Sequence, residues 1–182
     1  FVPVLVLMEK LGLIKDGVKE ITSTIEWLKH ERELHIEDLP ASDNAAKFVA
    51  THIHGKIPII YAGPTLTDTV AVRWKGQLSE NGKVLAFANQ YAEFNHNELV
   101  GWSETLKPHA GHFIVIQLRD ADDHPRIKRR MDIVRDLIEK FGVTVIEIES
   151  TGKTPLQRMF SLIQHGDFVS YYLAILNGVD PT

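Results

Sequence analysis

Residues 70–102 read VAVRWKGQLSENGKVLAFANQYAEFNHNELVGW, and the ionisable side chains among them fall where proton-transfer chemistry could use them. On a helix, Arg73, Gln77 and Glu80 stand at i, i+4 and i+7 and share one stripe, beside an apolar stripe of Val70, Trp74 and Leu78. A cation, an amide and a carboxylate therefore border a buried face, while Asp68, Lys75 and Ser79 take the solvent side. Glu80 is expected to be partly withdrawn from water there, and desolvation is what makes a carboxylate a useful base near neutrality. Further on, EFNHNE at 93–98 sets two carboxylates, two amides and His96 within six positions, followed by the apolar Leu99, Val100 and Trp102. Neither helix nor strand propensity calls for so many polar groups between apolar segments. A histidine in such a loop can both give and take a proton near neutral pH. Each group has a plainer reading: an exposed acid at a helix end, and a hydrogen-bonded loop histidine. Glu93, Asn95, Asn97 and Glu98 read as residues that shape the loop and cap the segment after it.

Elements must hold these groups. Asn81 and Gly82 read as a helix stop, with Gly82 free to take positive φ. From residue 57 the sequence alternates strand and helix, with strands expected at 57–62, 84–88, 113–118 and 143–148; the third is a nearly continuous apolar run of the kind a parallel sheet buries on both faces. Thr65 and Asp68 suggest a capping box for the helix after the first strand. Pro125 suits a first helical position, and Ile127, Met131, Val134, Ile138 and Phe141 keep one apolar face up to Gly142. Thr154, Pro155 and Gln157 supply cap, first-turn proline and reciprocal partner for a last helix, in which Tyr171 and Tyr172 read as core, as do Trp74 and Trp102 elsewhere. This alternation predicts a three-layer α/β/α sandwich around a mainly parallel sheet. Ahead of it the chain reads as helical. Asp16 would cap a helix carrying Val18, Ile21, Ile25 and Leu28, whose polar second half suggests an exposed linker, and a shorter helix at 44–54 would end at Gly55. We divide the chain into N-terminal helices and linker, 1–43, and an α/β domain, 44–182.

The runs RWKGQLSENGK and AEFNHNELVGW and the tail GDFVSYYLAILNGVDP resemble the C-terminal half of the bifunctional phosphoglucose/phosphomannose isomerases, which are built from two sugar isomerase (SIS) domains. The resemblance extends from FVPVLVLMEKLGLI to the last residues. It implies an SIS-type, Rossmann-like fold and interconversion of glucose 6-phosphate with fructose 6-phosphate, with mannose 6-phosphate as a possible second substrate. It further implies that Glu80 is the catalytic base, with Gly82 standing where the family motif has alanine. His96 would be the ring-opening histidine, and Arg73 a substrate-binding cation matched to developing enediolate charge. The phosphate-holding loops would lie in an N-terminal half, and one further lysine beyond Thr182. The family arrangement predicts a homodimer in which Glu80 works with His96 of the partner subunit, and Leu99, Val100 and Trp102 would suit the interface. Two other readings stay open: a non-catalytic SIS module that binds a sugar phosphate, and a dimerisation domain that touches no ligand of its own.

Composition narrows the partners. The chain has 182 residues, with 20 Lys+Arg against 24 Asp+Glu and a net charge of −4, so it carries no electrostatic footprint for nucleic acid. It has no cysteine, which removes disulfides, thiolate nucleophiles and cysteine metal sites. No apolar run of membrane-spanning length occurs, and a cytoplasmic enzyme binding a small sugar phosphate is expected. TGKT at 151–154 imitates the end of a phosphate-binding P-loop, but Glu147 stands where that loop needs glycine. His52 and His54 would diverge by about 200° on a helix, and His109 and His112 have no third ligand at motif spacing. No glycine-rich dinucleotide fingerprint is present. No metal or cofactor is therefore expected.

Overall fold

The computed structural model describes residues 1–182. Four strands, β1 (Ile57–Ala62), β2 (Phe87–Gln90), β3 (Phe113–Arg119) and β4 (Thr144–Glu149), pair in parallel in the order β2-β1-β3-β4. The two central strands are the most apolar, and Ile60, Tyr61, Ala62, Ile114, Val115, Ile116 and Leu118 are all fully buried. Their side chains alternate between two cores, as the period of two dictates. Ile60, Ala62, Ile114, Ile116 and Leu118 face α3 (Ala45–Ile53), α4 (Thr67–Glu80) and α7 (Pro155–Asn177). Tyr61 and Val115 face α6 (Pro125–Lys140) together with Tyr91, Phe94 and Trp102. The result is the expected α/β/α sandwich around a parallel sheet. Two helices, α1 (Val2–Lys10) and α2 (Gly17–Arg32), precede it, and α2 packs along α7.

Several local expectations hold in detail. Met131, Val134 and Ile138 are buried on α6, and Gly142 follows with φ +85°. The Thr154 hydroxyl accepts from Gln157 N, while Gln157 Oε1 accepts from Lys153 N, closing the first turn of α7. Asn44 caps α3 by accepting from Lys47 N, and Gly55 turns the chain at φ +75°. Trp74, Trp102 and Tyr172 are buried, whereas Tyr171 is only half-buried and donates to Glu37 Oε1 at 2.5 Å.

Other expectations are corrected. The second strand is 87–90 and not 84–88, because residues 84–86 return the chain from α4 to the sheet before Phe87 can register against Ile59. Gly82 does not take positive φ; Lys83 does, at +54°. The glycine is needed for space, since a Cβ there would come within 2.8 Å of Leu78 O and 2.9 Å of Leu173 Cδ2. No capping box forms at Thr65, which turns at φ +94° outside the helix; Thr67 begins α4 and donates its hydroxyl to Gly63 O. Asp16 makes no side-chain cap, and the Glu9 carboxylate accepts from Val18 N in its place. Nor is α2 simply an exposed linker. Its apolar Val18 and Ile25 face solvent, while its polar Thr24 and Glu31 are buried. The α2–α7 seam is correspondingly ill-matched, since Thr24 Oγ1, Trp27 Nε1, His35 Nδ1, Gln164 Oε1 and His165 Nε2 are buried without partners.

Candidate active site

Glu80 is the last residue of α4 and is exposed, and its carboxylate has no hydrogen-bond partner within the chain. The partial withdrawal from water expected of it is therefore not found: as the last residue of α4 it projects past the apolar stripe into solvent. Behind it, the Arg73–Gln77 stripe is turned toward α7. Arg73 Nη2 donates to Asp167 Oδ1 at 3.0 Å and Oδ2 at 3.1 Å, and Gln77 Nε2 donates to Oδ1 at 2.8 Å. Seven residues of helix separate Arg73 from Glu80 by about 10 Å along the axis. Arg73 is thus half neutralised by Asp167 and stands apart from Glu80, with its Nε and Nη1 unpartnered. The last turn is held by Asn81 Nδ2 donating to Ser170 Oγ at 2.9 Å and Asn177 Nδ2 donating to Gly82 O at 2.7 Å.

His96 rides on α5 (Phe94–Asn97), a single turn just past the C-terminal end of β2. It is exposed and has no side-chain hydrogen bond. Phe94, fully buried, stacks on Tyr61 with ring centroids 4.1 Å apart and planes inclined by 16°. Glu93 accepts from Asn97 Nδ2 at 3.2 Å, which supports the turn. Glu98 does not act as the local cap expected of it. It reaches inward, accepting from Tyr61 Oη at 2.5 Å and Asn89 Nδ2 at 2.7 Å. Trp102 Nε1 donates to the same tyrosine oxygen at 2.9 Å. Trp102 is buried by this arrangement and gives nothing to a surface, so of the three expected interface residues only Val100 is strongly exposed.

Topology separates the two groups. In a parallel sheet, α4 leaves the C-terminal end of β1 and runs back to the N-terminal edge, where β2 starts. Glu80 ends that helix, and the 14 residues of α4 span about 20 Å. His96 follows the end of β2, at the opposite edge. One chain does not bring Glu80 and His96 together. Beside both, the edge strand β2 and its surroundings expose Val72, Leu85, Phe87 and Val100.

The crevice where ligands usually sit in such sheets lies between the C-terminal ends of β1 and β3, where strand order reverses. Here it is an open cavity of about 290 Å³ lined by Thr65, Asp120, Asp122, Asp123, His124 and Arg158, narrowed on the Gly63 side. Asp123 Oδ1 lies so close to Gly63 that a Cβ on the glycine would approach it to 2.3 Å. Arg158 Nε donates to Asp120 Oδ2 at 2.9 Å, and its Nη2 pairs with Asp122. Burial disfavours the Asp120 charge, but bonds from Ser150, the Asp122 backbone and Arg158 outweigh it and hold the carboxyl below the usual range. An acidic crevice whose one cation is already paired does not attract a phosphate.

A parallel sheet covered by helices on both faces is the three-layer sandwich of SIS-type domains. Residues 42–182 match the family described as the bacterial phospho-glucose isomerase C-terminal SIS domain, and the chain belongs to that family. It is 44% identical over 182 residues to a bifunctional phosphoglucose/phosphomannose isomerase of Caldicellulosiruptor bescii, covering 100% of this chain and 53% of that protein. A protein of the same description from Aquifex aeolicus is 34% identical over 175 residues, covering 96% of this chain and 51% of its own length. Among solved structures, a glucose-6-phosphate isomerase like protein from Thermus thermophilus superposes with a TM-score of 0.72 over 90% of this chain and 52% of the other; at 23% identity the likeness is one of fold. The chain spans about half the length of the curated relatives it matches. No helix is long and apolar enough to cross a membrane.

Proposed function

We propose that this chain is the half of a cytoplasmic aldose–ketose phosphate isomerase that carries the proton-transfer base, and that two copies complete each site. The reaction we assign is glucose 6-phosphate to fructose 6-phosphate, with mannose 6-phosphate to be assayed beside it. His96 protonates the ring oxygen as its bond to C1 breaks, and the anomeric hydroxyl gives up its proton to solvent or to the same imidazole to become the C1 carbonyl. The Glu80 carboxylate then takes the C2 proton of the open aldose, and the freed electron pair forms the C1=C2 bond as the C1 carbonyl oxygen gains a proton. Loss of the C2 hydroxyl proton makes the new carbonyl, and Glu80 returns its proton to C1. For Arg73 we propose substrate binding through Nε and Nη1, the donors that Asp167 leaves free.

One observation carries the reading. Glu80 and His96 are both exposed and unpartnered, yet stand at opposite edges of one sheet. A two-fold dimer can set the base of one subunit against the histidine of the other, twice over. The exposed apolar strip along β2 is suited to such an interface. The test mixes two impaired full-length proteins, Glu80→Gln and His96→Ala, under conditions that exchange subunits, with ring-closed hexose phosphate as substrate. Activity near one half of wild type per heterodimer is expected. No gain over the two parent proteins, with exchange verified, would eliminate the shared site.

A further inference from the structure

We propose that Tyr61 and Glu98 are positioning residues that aim His96, a role that rests on the function assigned to His96 above. Phe94 and Glu98 are four residues apart, so they project from one face of the single turn that carries the histidine. His96 lies midway, about 200° around that turn from Phe94. The inner face is gripped twice by the same side chain. The Tyr61 ring stacks on Phe94 at 4.1 Å, and its hydroxyl donates to Glu98 at 2.5 Å. Tyr61 is fully buried in the middle of the sheet, so the clamp is anchored in the most rigid part of the fold. Trp102 Nε1 donates to the tyrosine oxygen at 2.9 Å, so the hydroxyl proton is left for Glu98. Asn89 of β2 secures the second carboxylate oxygen at 2.7 Å. Burial and the Glu98 carboxylate both push the phenol far above its ordinary range, so the hydroxyl remains a donor at every working pH. A one-turn helix has almost no stability of its own. Its orientation, and with it that of His96, is therefore set by these bonds.

The test is a double-mutant cycle in the full-length protein. Tyr61→Phe keeps the stack on Phe94 and removes the hydroxyl bond. It should lower kcat on ring-closed hexose phosphate about 10- to 100-fold while KM moves less than about twofold, because a displacement near 1 Å is costly to a reacting group. Spontaneous ring opening keeps His96→Ala measurable. In that background Tyr61→Phe should cost less than about twofold, since there is no histidine left to aim. Glu98→Ala should behave as Tyr61→Phe does, and Glu98→Gln, which keeps an acceptor for the phenol, should recover most of what alanine loses. Equal losses with and without His96 would overturn the proposal and assign Tyr61 a general structural role. So would an unimpaired Tyr61→Phe beside an impaired His96→Ala. If His96→Ala itself costs nothing, the assignment of His96 fails first and takes this inference with it.

Discussion

Glu80 is a carboxylate without a partner in a chain whose other acids near the sheet are mostly engaged: Glu98 by Tyr61, Glu147 by Arg119 and Arg135, and Asp120 by Arg158. A group left unpaired is free to take a proton. Glu80→Gln in the full-length protein is expected to abolish exchange of the substrate C2 proton with solvent, a loss of about 10² to 10⁴ or more in rate. Exchange at the wild-type rate would remove Glu80 from the mechanism. The buried histidines make a second prediction. His165 stacks on Trp74 at 5.9 Å and meets His35 edge-on at 4.8 Å, and burial, aided by His35, takes its imidazole down to about 3. Burial also lowers His35, with the Glu31 charge acting the other way. Burial favours the neutral form of both in the fold, most strongly for His165, while in the unfolded chain both gain protons below about pH 6.5. Their stabilising contribution is therefore complete above that pH and is lost as pH falls, at about 1.4 kcal/mol per unit for His165. Denaturant unfolding from pH 7.5 to 5 should show this slope, and His165→Phe should flatten it; an equally steep slope in the variant would assign the effect to other groups.

At the level of elements, the parallel pair α4 and α7 carries Glu80. Gly166 lets the two approach, because a Cβ there would lie 2.3 Å from Trp74 Nε1, which donates to Leu162 O at 2.8 Å. Gly166→Ala should destabilise the fold by about 1–3 kcal/mol, read as a lowered midpoint in thermal or denaturant unfolding. Much of this layer is legible in the sequence. The apolar periodicities of α4 and α6, the Thr154–Pro155 cap and the continuous apolar runs of β1 and β3 each depend on neighbours close in sequence. The position of β2 is not legible, because FANQ has no apolar pattern and its identity as a strand comes from register against Ile59 to Ala62. The failed cap at Thr65 has the same origin, since a threonine that turns the chain and one that caps a helix look alike in a sequence. The clamp on His96 is hidden because Tyr61 and Glu98 are 37 residues apart. Glu98 reads as a local cap, and its i, i+4 pairing with Phe94 is the one signal that points inward.

For the molecule as a whole, the acidic lining of the crevice and the two exposed rim groups point to a substrate held by surfaces beyond this one chain, as the proposed function requires. The 182-residue chain alone is expected to unfold cooperatively, given a sheet covered on both faces, yet to turn over hexose phosphate far more slowly than a full-length protein. Remote binding of the phosphate normally orients the reacting sugar, and its loss lowers kcat as well as affinity. Turnover approaching that of the full-length protein would mean that the site is complete within residues 1–182. The proposed two-subunit arrangement would make activity depend on concentration. Specific activity should fall on dilution in step with dissociation followed by light scattering, and full activity in a demonstrated monomer would return both groups to one chain.

The unpartnered polar atoms between α2 and α7 have a consequence for motion. Each buried donor or acceptor without a partner gains a water when the seam parts, which offsets the apolar surface exposed at the same moment. The free energy needed to peel α2 away is then well below that of global unfolding, whereas β1 and β3 can open only when the whole sheet does. Amide hydrogen exchange should resolve two classes. Protons of α2 should exchange early, through brief detachment, and those of β1 and β3 last. The helices ahead of the sheet would then act as a compliant joint, able to yield to whatever they are packed against while the sheet, and the Tyr61 clamp within it, keeps its shape.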